Sequence, residues 1–258
     1  MLARSYIERI LDQAVSCKVD YAEVFFEDVE RTKVDLIDSE AAGCALGRES
    51  GIGIRVFKGL ESKYLYSADV REETVYALMK EHLGTGGVFG KRTPLSEISP
   101  HGIVTQKTAP CDRRLREKID RLREAVETGK NVDSCIVQGR AVYVDADQRV
   151  QIANTEGTYV EDRRIRTRVR FMMTAKAPGY AGRQTGYTGP GAMSGPGFLD
   201  SEILLEQAGT AAKIAKGMLG ARPCPVGRMP VIIANGFGGL FFHEACGHSL
   251  EGSSVAPG

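Results

Sequence analysis

With 258 residues, 42% of them hydrophobic and 26% charged, the chain has the length and composition of an ordinary globular protein of one or two domains. Its 34 Lys and Arg stand against 33 Asp and Glu, so a net charge of +1 gives no global attraction for nucleic acid or an anionic membrane. No apolar run approaches the roughly 20 residues of a membrane helix, and Met1 to Ser5 leads into a charged amphipathic stretch unlike a signal peptide, so a cytoplasmic location is expected.

Ile7, Ile10, Leu11 and Ala14 recur at helical spacing and predict a helix near residues 5–16. From Asp20 to Val29 apolar and polar residues alternate, as in a strand, and Val34 to Ile37 reads as a second one. Leu46, Gly51 to Phe57 and Tyr64 to Tyr66 continue the meander, with Gly51-Ile52-Gly53 marking a bulge or tight packing. Residues 71–83 return to a helical pattern closed by Gly84, and Phe89 to Pro110, punctuated by Pro94, Pro100 and Pro110, reads as a linker or surface excursion.

The clearest helix is predicted over 112–128, where Leu115, Ile119, Leu122 and Val126 line one face and charges cover the rest. Cys135 to Val144, Arg149 to Ala153 and Thr158 to Ala177 read as antiparallel strands joined by turns at Asp145 to Gln148 and Asn154 to Gly157. Arg164, Arg166, Arg168 and Arg170 fall on one face of the last strand, most simply a solvated face paired with Glu161 and Asp162. Gly179 to Gly197 has the glycine content of a mobile loop, residues 201–219 form a small-residue helix, and Pro223-Cys224-Pro225 breaks it. Val231 to Ala234 has the form of a short buried strand. The six cysteines are scattered without a C-x-x-C pair and are expected to be free and mostly buried.

These elements predict an α+β fold. Antiparallel meander sheets with packed helices fill residues 1–223, followed at 224–258 by the truncated start of a second, mainly β domain. That second segment carries His243-Glu244-Ala245-Cys246-Gly247-His248. In the H-E-x-x-H of helical zinc peptidases the histidines are four apart, about 40° from one another around the helix, whereas five residues open the angle to about 140°. A regular helix cannot bring His243 and His248 to one ion. A distorted helix end at Gly247, or a bulge in the turn before it, would do so. Two neutral imidazoles, a third protein ligand and a water would then complete a zinc site, with Glu244 as the proton carrier. Cys246, about 60° from His243 on a helix, is a geometrically easier partner, and helix-end histidines held by hydrogen bonds are the plain alternative.

The wider stretch, Gly238-Gly239 followed by His243 through Gly252, resembles the signature of the TldD/PmbA family, modulators of DNA gyrase similar to zinc metallopeptidases. Asn154 to Gly157 and Val160 to Asp162 resemble that family's central meander. The resemblance is to the TldD-like branch, and it implies zinc on His243 and His248 with Glu244 as acid/base. It also implies unfolded or extended peptide substrates, such as leader peptides and antitoxin-like proteins, and a homodimer or a heterodimer with a PmbA-like chain. It places the third zinc ligand, a cysteine, in a C-terminal half beyond these residues, so a non-catalytic peptide-binding or dimerisation fragment is the competing expectation.

Overall fold

In a computed structural model, residues 1–87, 94–98, 109, 112–179 and 182–255 are described. The linker expected from Phe89 to Pro110 lies largely outside them, as does Cys111. The chain divides into two compact units, Met1–Ala221 and Arg222–Gly258.

The first unit is an α+β structure built on one long mixed sheet. In chain order it holds α1 (Arg4–Ser16), β1 (Tyr21–Ile37), β2 (Glu40–Lys58), β3 (Glu61–Ser67), α2 (Glu72–Leu83), β4 (Ser96–Glu97) and α3 (Leu115–Lys130). It continues with β5 (Ile136–Asn154), β6 (Thr158–Ala175), β7 (Gln184–Thr188), β8 (Gly191–Ala192) and α4 (Ile203–Leu219). The strand order is β3-β2-β1-β5-β6-β4, with β7 and β8 also on the outer edge of β6. Every pairing is antiparallel except β4 with β6.

Register fixes which side chains share a face. Val24 stands opposite Ile54 and Ala153, and Val34 stands opposite Tyr143, itself opposite Val169. Side chains opposite one another point the same way, and positions an even number apart on one strand do too. All of these therefore belong to one face, and two helix pairs cover it at opposite ends. Ile7, Ile10, Val75 and Met79 of α1 and α2 close over Val24, Ile54 and Ala153. Leu122, Val126, Leu204 and Ala211 of α3 and α4 close over Leu36, Tyr143 and Phe171. Each buried Leu, Ile or Phe contributes about 1.5–3 kcal/mol to holding its layer down.

Between the two apolar clusters the same face is polar. Arg48 grips Asp28 through two bonds of 2.7 Å, Arg163 grips Asp147, and Lys118 from α3 pairs with Asp145. Asp145 also accepts from the Tyr143 hydroxyl and from the Thr32 backbone N–H at 3.1 Å. Burial, then the adjacent Asp145 carboxylate, push the Tyr143 phenol well above its ordinary range. A cavity of about 430 Å³ opens here, lined by Glu30, Thr32, Arg48, Arg113 and Asp147 among others.

This polar seam corrects two expectations. β1 and β5 do not break where charges interrupt the alternation. Thr32 and Asp145 point inward to partners while Arg31 and Lys33 stay in solvent, so both strands run through. Asp145 to Gln148 is strand and not turn. The Gly179–Gly197 segment, expected as a mobile loop, contains β7 and β8, and Pro196 and Leu199 are buried behind them. Its glycine at 186 serves close approach, because a Cβ there would lie 2.0 Å from the Ala211 carbonyl oxygen of α4. Gly53 likewise lies under Tyr64, whose hydroxyl would be 2.2 Å from a Cβ. On the opposite face Arg166, Arg168 and Arg170 are exposed and Arg164 pairs with Asp162, but Glu161 bonds Gln151 and Tyr159 instead. The five described cysteines are free as expected, yet none is fully buried.

Residues 224–258, expected to open a mainly β domain, form no strand among their described residues. Val231 and Ile232 are 74% and 97% exposed, because a strand there would need a ladder partner that no described residue supplies. Among the described residues of this unit, regular structure is confined to short helical turns from Gly236 onward.

Candidate metal centre

Gly236, at φ +82°, opens a 3-10 turn at Gly236–Gly238 that leads into α5 (Gly239–Phe242). His243–Gly247 then forms a π-helical turn, followed by a 3-10 turn at His248–Leu250 and by α6 (Gly252–Val255). The His248 backbone N–H donates to the His243 carbonyl, an i→i+5 bond. That bond stacks residues five apart nearly over one another, which an α-helix cannot do. Of the two routes open from the sequence, the chain takes the bulged turn. Gly247 keeps an ordinary right-handed conformation at φ −60° and ψ −53°.

The two imidazoles consequently meet edge to face, with centroids 4.6 Å apart and planes inclined at 67°. His243, Glu244 and His248 each offer one ligand atom, and these atoms all lie within 4.8 Å of one another. His248 Nε2 stands 3.5 Å from Glu244 Oε2, and its Nδ1 is 2.6 Å from Glu251 Oε1. Cys246 is exposed and does not join this group. Glu251 is the member of the site that sequence reasoning gave no role, although an acid three residues after a helical histidine was a visible signal.

The donor chemistry fits a zinc ion. Two imidazoles converge with a carboxylate beside them, and one ring already has its remote nitrogen engaged by a second carboxylate. Fold and site together define a class: an α+β chain bearing a turn that gathers His243, Glu244 and His248.

The family is shown by comparison with known proteins. Residues 22–81 match the model of PmbA/TldA metallopeptidase domain 1, and residues 109–219 match the PmbA/TldA metallopeptidase central domain. The chain belongs to the TldD/PmbA metallopeptidase family. It is 24% identical to a metalloprotease TldD homologue of Buchnera aphidicola over 94% of its length and 52% of that protein's. It is 25% identical to the Haemophilus influenzae homologue, over 97% of this chain and 54% of that one. The chain thus spans about half the length of the curated relatives it matches. A Thermotoga maritima structure described as a modulator of DNA gyrase shares the fold at a TM-score of 0.68 and 18% identity, over 86% of this chain and 50% of that one. TldE from Thermococcus kodakarensis shares it at 0.58 and 10%, over 82% and 47%.

Proposed function

We propose that this chain carries the metal-holding turn of a zinc-dependent peptidase of the TldD type, acting on unfolded or extended peptides. The observation that carries the reading is the π turn, which sets the His243 and His248 rings 4.6 Å apart beside Glu244. The metalloprotease names of its relatives support it. A bound zinc supplies Lewis acidity, polarising a peptide carbonyl and lowering the pKa of a water towards about 7. His243 and His248 would hold such an ion through ring nitrogens. Glu244, next in sequence to one ligand and facing the other, takes a proton from the attacking water on a carboxylate oxygen and delivers it to the leaving amine nitrogen.

Leader segments of modified peptides and antitoxin-like proteins are the proposed substrates. The proposed assembly is a homodimer or a heterodimer with a PmbA-like chain in the cytoplasm. No helix among the described residues is long and apolar enough to cross a membrane. A second reading, a non-catalytic peptide-binding or dimerisation piece, is favoured by the two imidazoles having no cysteine or further histidine beside them among the described residues. The Glu244→Gln variant of the peptidase-competent protein tests the first. The amide is nearly isosteric but cannot carry the proton, so hydrolysis of an unfolded peptide falls by about 10²–10⁴-fold while zinc content stays unchanged. Near-normal turnover would remove Glu244 from the mechanism.

A further inference from the structure

We infer that Glu251 is a positioning residue for the metal centre: it holds the His248 ring as its Nδ1–H tautomer and so presents Nε2 to the ion. The inference rests on the metal-site reading of the π turn and assigns a role to a side chain outside the His-Glu-His triplet.

The geometry begins with the backbone. At Glu251 the chain leaves the helical turn for an extended conformation, φ −66° and ψ 145°. Its own N–H still donates to the His248 carbonyl at 3.4 Å, and the same carbonyl accepts from the Ser254 hydroxyl at 3.0 Å. Ser254 N–H returns to the Glu251 carbonyl at 2.8 Å. His248, Glu251 and Ser254 are thus tied into one short knot, and the Glu251 side chain folds back to set Oε1 2.6 Å from His248 Nδ1.

The tautomer follows from donor and acceptor inventory. An ionised carboxylate only accepts, so the short contact requires the proton on Nδ1. In the neutral ring Nε2 is then left with a lone pair, and Nε2 is the atom that faces Glu244. A free imidazole is under no such constraint and distributes its proton between both nitrogens. Fixing the proton on the remote nitrogen orients the ring and removes a tautomer that could not bind. Loss of a carboxylate in this position costs about 10–100-fold in metal affinity elsewhere. His243 has no such partner among the described residues, so the whole effect falls on one ligand.

The test uses the 258-residue chain with zinc alone as probe, comparing wild type with Glu251→Ala, Glu251→Gln and Ser254→Ala. Long-range ¹H–¹⁵N spectra of the metal-free chain, recorded where imidazole is neutral, read the His248 tautomer directly. Wild type is expected as Nδ1–H, Glu251→Ala as a mixture, and Glu251→Gln, whose amide oxygen still accepts, as mostly Nδ1–H. Zinc affinity by chelator competition should fall about 10–100-fold in Glu251→Ala and clearly less in Glu251→Gln. Ser254→Ala, which loosens the same knot without touching the ring, controls for a merely structural effect and keeps the wild-type tautomer. An unchanged tautomer and unchanged affinity in Glu251→Ala would overturn the inference. A wild-type chain that takes up no zinc would instead strike the underlying metal reading, and the tautomer spectra would then decide the role of Glu251 alone.

Discussion

Lys118 carries its ammonium group into the sheet's polar seam with 2% of its side chain exposed, beside the cavity that opens there. Its Nζ donates to Asp145 and, at 3.3 Å, to the Thr32 hydroxyl. Removing the cation strands Asp145, still held by Tyr143 and the Thr32 N–H but no longer neutralised. Breaking a buried pair from one side costs about 3–5 kcal/mol, so Lys118→Met should lower the urea-unfolding free energy by that amount, and a loss below about 1 kcal/mol would contradict it. Asp35 illustrates the milder, half-exposed case. The Arg140 guanidinium, with Nε 2.8 Å from Oδ1, holds the Asp35 carboxyl below its usual value. A depressed folded pKa contributes stability above the unfolded value of about 3.9, and that contribution disappears as pH falls through the lower folded value. Unfolding midpoints should therefore drop as pH falls below the unfolded carboxylate value of about 3.9, and Arg140→Met should shallow that drop. An acid limb of equal slope in the variant would show that Asp35 is not part of it. Neither residue was legible in the sequence, because a helix pattern marks Lys118 only as one more charge. Its burial depends on the register that brings Thr32 opposite Asp145.

α4 and β7 meet through missing side chains. Ala208, Ala211 and Ala215 present a small face, and Gly186 lets the strand lie against it. A methyl at Gly186 would sit 2.0 Å from the Ala211 oxygen and 2.7 Å from the Ala215 nitrogen, both backbone atoms that cannot step aside. Gly186→Ala should cost about 1–3 kcal/mol or more through overpacking. Gly217, in the same helix, has nothing within 4 Å of its Cβ position, so Gly217→Ala should stabilise by about 0.5–1 kcal/mol. Thermal unfolding of the two variants should move in opposite directions, and a shared sign would refute this account of the interface. The four long helices were legible because their apolar residues repeat at 3.6, as Ile7, Ile10, Leu11 and Ala14 show. β7 was not, since glycine signals loop and close packing with the same letter. The π turn was legible only as a requirement: His243 and His248 had to meet, and the spacing showed that an α-helix would keep them apart.

At the scale of the molecule, the family's first and central domains share a continuous sheet. Their apolar layers are separate, with the ion-paired seam between them. The π turn lies in the other unit, Arg222–Gly258, with the side chains of Glu244, His248 and Glu251 51–61% exposed. Catalytic zinc sites use three protein ligands and a water, and here two imidazoles are offered, with no cysteine or further histidine joining them among the described residues. The 258-residue chain should accordingly bind zinc more weakly than a three-ligand site and show no peptide cleavage by itself. Tight binding with turnover would make it self-sufficient, and Cys246→Ser would then show whether that thiol contributes. The central claim, that the π turn exists to bring two histidines to one ion, is tested most directly by calorimetric titration of zinc into wild type, His243→Ala and His248→Ala. The account predicts one site in the wild-type chain and an affinity at least about tenfold weaker in each variant. Equal affinity in all three chains, or no uptake by the wild type, would contradict it.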